Sequence, residues 1–172
     1  MIAQNQYLRS QPLGVLNFAA IRYFTLAVIG TVFIMSGAVF PQAHAAGVSK
    51  NQLEDILSEQ GYAVRDFDAS SVAVVVGDHV VLVGLQGPDG DITYITYING
   101  VSVDMLGYEF LSKFNSEVKF GRAYVDRDGD IAIQMDRNAA GGVSAENIES
   151  DFDVFLILIS KFLEDVERIQ LT

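Results

Sequence analysis

Between residues 62 and 98 the chain is divided into short apolar runs of period two, separated by turn residues, and this pattern restricts the fold more than any other feature. Tyr62–Phe67, Val72–Val76, Val80–Gln86 and Ile92–Ile98 are rich in β-branched and aromatic residues and read as strands. Gly77-Asp78 and Gly87-Pro88-Asp89-Gly90 separate three of them, so the runs read as antiparallel hairpins. Two further strands are predicted at about Lys119–Val125 and Ile131–Arg137, joined by Asp126-Arg127-Asp128-Gly129-Asp130.

Helical periodicity occurs in three places. Ser49 can cap a helix over about Lys50–Gln60, with Leu53, Ile56 and Leu57 on one face and Gly61 as the stop. Val103, Leu106, Phe110, Leu111 and Phe114 form the stripe of a second helix from about Ser102 to Phe114, which Asn115 could close. Ser144 can cap a long last helix reaching about Gln170, with Glu146, Glu149 and Asp151 placed to complement its dipole. The expected fold class is therefore α+β, an antiparallel sheet of about five to six strands with three helices.

The first 45 residues have a different character. Phe24–Phe40 reads FTLAVIGTVFIMSGAVF, with Arg9 and Arg22 before it and Pro41 and Ala43-His44-Ala45 after it. A positive flank, an apolar run, a helix breaker and A-x-A in that order are what a signal peptidase site requires. The expectation is a signal peptide over 1–45, cleavage between Ala45 and Ala46, and a periplasmic or secreted domain over 46–172. An uncleaved membrane anchor is the competing reading, because the run is close to the lower limit for crossing a hydrocarbon core; a buried core helix is a third, disfavoured by the absence of a polar side.

Charge limits the partners. Of 11 Lys and Arg only Arg9 and Arg22 precede position 46, and none of the 22 Asp and Glu does, which leaves a net charge of −13 from there on. Such a surface repels phosphate backbones and anionic headgroups, which argues against nucleic acid and allows membrane association only through an uncleaved N-terminal segment. With no cysteine in the chain, disulfides, thiolate metal sites and a cysteine nucleophile are excluded.

No residue constellation carries recognisable chemistry. Asp126-x-Asp128-Gly129-Asp130 has carboxylates in a tight turn, but a calcium loop counted from Asp126 needs Gly at position six and Glu at twelve, where Ile131 and Arg137 stand. His79 is the one histidine after position 45 and lies at an expected hairpin tip, with no nucleophile motif to serve. Glu164, Asp165 and Glu167 read as a solvated helix face. No catalytic residue, metal ligand or cofactor is expected.

Phe114-Asn115, Phe120-Gly121-Arg122-Ala123-Tyr124-Val125-Asp126, Asp128-Gly129-Asp130-Ile131, Gly61-Tyr62 and Gly141 to Ser144 occur in an order that resembles the YbjN-domain family over about Ser49–Val166. The resemblance implies a fold similar to type III secretion chaperones, often dimeric, and a role as a regulator of sensory transduction through protein binding rather than turnover. It implies that Asn115 caps the second helix and orders the following turn, that Arg122 projects from the next strand to an internal salt bridge or a partner's carboxylate, and that Tyr124 packs beside it. The export signal departs from many family members and puts a cytoplasmic role in doubt.

Apolar residues fall on both faces of the same strands, with Val72, Val74 and Val76 against Ala73 and Val75, and Val80 and Leu82 against Val81, Val83 and Leu85. Either helices cover both faces or a subunit or client chain covers the second. The last helix has an apolar surface wider than one sheet face needs. The expectation is an exported, non-enzymatic module, chaperone-like or regulatory, that binds a protein or peptide client and forms a homodimer. Asn115, Arg122, Tyr124, Val81 and Leu158 are its candidate contact residues. An enzyme of unrecognised type and a membrane-anchored structural envelope protein are the alternatives.

Overall fold

The computed structural model describes residues 47–170. The Phe24–Phe40 run and the Ala45/Ala46 cleavage site lie outside the described residues. The elements follow in the order α1 (Lys50–Glu59), β1 (Ala63–Asp66), β2 (Ser71–Val76), β3 (His79–Gln86), β4 (Asp91–Ser102), α2 (Val103–Leu106), α3 (Tyr108–Glu117), β5 (Gly121–Val125), β6 (Asp130–Arg137) and α4 (Ala145–Gln170). No described helix is long and apolar enough to cross a membrane.

The strands form one six-stranded sheet in the order β1-β2-β3-β4-β6-β5, and every pairing is antiparallel. The first four strands are a meander because their connections are short. The chain then crosses through α2 and α3 to an edge position, and the β5–β6 turn brings β6 back against β4. In that turn the Asp126 carboxylate accepts the backbone N–H groups of Asp128 and Asp130, both at 2.9 Å, so it orders the hairpin in the way of an Asx turn.

Local chemistry fixes the helix ends. The Ser49 hydroxyl accepts the Gln52 N–H at 3.3 Å, and the Gln52 side chain accepts the Ser49 N–H at 2.9 Å, a reciprocal capping box. The single helix expected from Ser102 to Phe114 is two. Gly107, at φ 77°, ends α2 after four residues and lets α3 start in a new direction. The described residues therefore hold four helices, and Asn115 lies within α3 and does not close it; the cap is Val118.

The cross-strand register sorts every strand residue to a face. Val72, Val74, Val81, Val83, Ile92, Tyr94, Thr96, Ile98, Ile131, Ile133, Met135 and Ala123 share the inner face and are nearly or fully buried. All but Thr96 form one hydrophobic cluster with Leu53 and Leu57 of α1, Phe110, Leu111 and Phe114 of α3, and the buried side of α4. Ring contacts extend across it, with Phe162 edge-on to Phe110 and Phe114 at 5.3 and 5.2 Å and Tyr62 edge-on to Phe152 at 4.8 Å.

α4 uses its wide apolar surface inside the fold. At 26 residues it spans about 39 Å, long enough to meet β6 near its start, through Asp151, and α3 near its end, through Phe162, and to pack on α1 as well. Ile148, Phe152, Phe155, Leu158, Ile159, Phe162 and Val166 are all buried, and Val154, Leu156 and Leu163 are partly so, which leaves Ile157 as the exposed member of the wide surface read from the sequence. Gly121 lets α4 approach closely, because a Cβ there would stand 2.5 Å from the Leu158 Cδ1.

Candidate functional site

The other face of the sheet is covered by none of the described helices. Ala73, Val75, Val80, Leu82, Ile95, Tyr97, Ala132 and Tyr124 point to it by register, and none of them belongs to the core cluster. Of the two readings of the two-sided strands, cover by helices on both faces is not met among the described residues.

The outer face has an apolar part and a polar part. Ala73, Val75, Val80, Leu82 and Ile95 form an apolar plate across β2, β3 and β4, where Val80 is 48% exposed. Tyr97 of β4 and Tyr124 of β5 stand on either side of Ala132, which is fully buried although it lies on the outer face. The two rings thus fence the plate on the side of β6.

Beyond the tyrosines lies a continuous polar network. Arg122 Nη1 is 3.0 Å from Asp136 Oδ2, and the other Asp136 oxygen accepts hydrogen bonds from the Thr93 hydroxyl at 2.9 Å and the Gln134 amide at 2.7 Å. The Tyr124 hydroxyl donates to Gln134 Oε1 at 2.8 Å, and the Arg122 guanidinium lies 5.8 Å from the centre of the Tyr124 ring. Partial burial alone would raise the Asp136 carboxyl; the hydrogen bonds from Gln134 and Thr93 and the Arg122 charge outweigh it and hold the group below the ordinary range. Burial raises the Tyr124 hydroxyl, and the neighbouring Tyr97 adds to the effect.

The candidate contact residues separate accordingly. Arg122 and Tyr124 lie together on the outer face, and Arg122 makes the internal salt bridge, to Asp136. Asn115 is on α3 at the β5 edge, where its amide donates to the Ala123 carbonyl at 2.9 Å and accepts the Ala123 N–H at 2.7 Å. Val81, 0% exposed, and Leu158, 6% exposed, are core residues and cannot meet a partner in the folded state. Their neighbours Val80 and Ile157, at 48% and 66%, hold the exposed positions. Sequence reading missed the outer-face members Thr93, Gln134 and Asp136, whose strand alternation with Ile92, Ile133 and Met135 was the available signal.

The clefts offer less. One of about 520 Å³ lies between β6 and α4 and is lined by Phe120, Met135, Asp136, Arg137, Asn138, Ser150, Asp151 and Val154. Its charged groups are already engaged: Arg137 grips Asp151 with two hydrogen bonds, the Nη2 contact at 2.7 Å, and Asp136 holds Arg122. His79 begins β3 opposite Val76, away from the outer-face network. Asp165 is ion-paired with Lys161 and Arg168. Among the described residues no three His, Cys, Asp or Glu are grouped to hold a metal ion.

This sheet, with the crossover to β5 and the final helix, has a counterpart among known families. The YbjN family profile, "Putative bacterial sensory transduction regulator", matches residues 49–168. The chain belongs to the YbjN family. The crystal structure of YbjN from E. coli is similar with a TM-score of 0.56 at 15% identity, covering 70% of this chain and 92% of that chain. At that identity the likeness is one of fold. Among curated proteins none matches.

Proposed function

We propose that this YbjN-family domain is a non-catalytic regulatory module that is exported and docks a protein on the outer face of its sheet, a second copy of the chain being one such partner. The observation that carries the reading is the apolar plate of Val75, Val80, Leu82 and Ile95, bordered by Tyr97, which no described helix covers. Contiguous apolar surface left open to water favours association. From residue 46 on the net charge is −13, yet the plate has no charged side chain, so two acidic surfaces can meet there with little repulsion. The ion-paired state of the charged groups in the cleft between β6 and α4 supports binding over turnover.

A photo-reactive residue in place of Val80 or Tyr97, in the full chain expressed in its native host, tests the docking. Covalent adducts to protein are expected from both positions and not from Met105, which is exposed on α2. Equal adducts from all three, or none from the face, would overturn it. Export rests on the Ala43-His44-Ala45 site after the apolar run. Terminal sequencing is expected to give Ala46; an intact Met1 on membrane-bound protein would favour the anchored alternative, and a cytoplasmic product would end the export reading.

A further inference from the structure

The sheet has two edges, β1 and β5, and an edge strand presents unpaired backbone groups to which another strand can add. β1 is short, four residues ending in Arg65 and Asp66, and the charges discourage addition there. β5 is flatter in character, GRAYV, with one charge. At its centre, Ala123, both backbone groups are taken by one side chain, the Asn115 amide. A carboxamide has the same donor and acceptor as a peptide group, so Asn115 stands where the N–H and C=O of a seventh strand would stand.

We propose that Asn115 is an edge lock: its amide closes the β5 edge against strand addition, and its loss makes β5 an acceptor for the β5 strand of a second copy. The geometry favours that occupant. Because the Ala123 groups point outward, two antiparallel β5 strands would pair with Ala123 facing Ala123 across a two-fold axis. Each Arg122 then lies directly opposite a Tyr124, a favourable cation and ring pair, and no like charges face each other. Phe110, Leu111 and Phe114 keep most of α3 in the core, so the lock opens by fraying of its exposed last turn, Asn115 to Glu117, whose hydrogen bonds to β5 are the two from Asn115.

The test uses the full chain carrying Val80→Asp, so that the outer plate does not contribute, and compares it with added Asn115→Ala. Read below the concentration at which strands pair, so that a partner's Ala123 carbonyl cannot replace the lost acceptor, exchange of the Ala123 amide is expected to quicken about tenfold in Asn115→Ala. Sedimenting mass is expected to double relative to the parent across the micromolar range. Adding Tyr124→Arg places arginines opposite each other in the pairing and is expected to abolish the doubling. Asn115→Asp keeps the acceptor for the Ala123 N–H and is expected to retain most of the protection, which gives a readout even where Asn115→Ala folds poorly. Unchanged exchange in both Asn115 variants overturns the lock. Faster exchange with no doubling, or doubling that Tyr124→Arg leaves intact, overturns strand addition at β5.

Discussion

The two faces of the sheet are made by alternate residues of the same strands, and in β2 and β3 they are almost equally apolar: Val72, Val74, Val81 and Val83 on one side, Ala73, Val75, Val80 and Leu82 on the other. Their fates differ because of what lies opposite. The inner set meets α1, α3 and α4 and is excluded from water, whereas the outer set meets none of the described helices. Residue type therefore says that a surface can be buried, and only topology says against what. Toward β5 the outer face changes from aliphatic to polar, which would give the proposed docking partner a defined orientation.

The sharpest way to break this comparison is to place the same charge on adjacent residues. Val81→Asp buries an unpaired carboxylate and should cost about 4 kcal/mol, most of the stability of a marginal domain, whereas Val80→Asp should cost under about 1 kcal/mol. Chemical denaturation of the two variants checks it, and equal losses would mean that the outer face is as enclosed as the inner one. Gly121→Ala comes next, because its Cβ would press on Leu158 and stand 3.1 Å from the Gln134 carbonyl. A loss of about 1 to 3 kcal/mol is expected in the same assay.

A smaller effect of opposite sign is expected at Phe120, which has φ 70° and is 77% exposed. Glycine takes that conformation without strain, so Phe120→Gly should raise stability by about 1 kcal/mol in thermal unfolding. Smallest is the acid response of the outer network. Since the Asp136 carboxyl is held below its ordinary 3.8, its contribution is present above that value and is lost as the pH falls through the lowered one. Asp136→Asn should remove under about 1 kcal/mol at neutral pH, given its exposure, and should flatten the fall in melting temperature below about pH 4.

Much of the architecture could be read in advance, because strand runs, turn residues and the Ser49 cap are local signals. The break at Gly107 could not, since a glycine inside a helical stripe is tolerated as often as it ends the helix, and only the direction of α3 decides. Val81 and Leu158 were misplaced for a related reason. When both faces of a strand are apolar, alternation no longer marks the inside, and a choice between Val80 and Val81 becomes a choice of register. Asn115 followed the same rule in another form: its partner, Ala123, is near in space because of the crossover, which no capping pattern announces.

The strand order also has a consequence for how the chain reaches this state. The β1 to β4 meander and the β5–β6 hairpin each close over short loops, but Ile92–Ile98 can pair with Ile131–Arg137 only after α2, α3 and β5 have been drawn in between. Loop-closure entropy is thus concentrated at one seam, and the search for it should set the folding rate. Substitutions at the Thr96–Ile133 pair should slow folding, and those at Val72 should chiefly hasten unfolding, a division that stopped-flow kinetics can read. Under the export proposed above, a late seam would lengthen the interval in which the chain is still unfolded and able to be threaded.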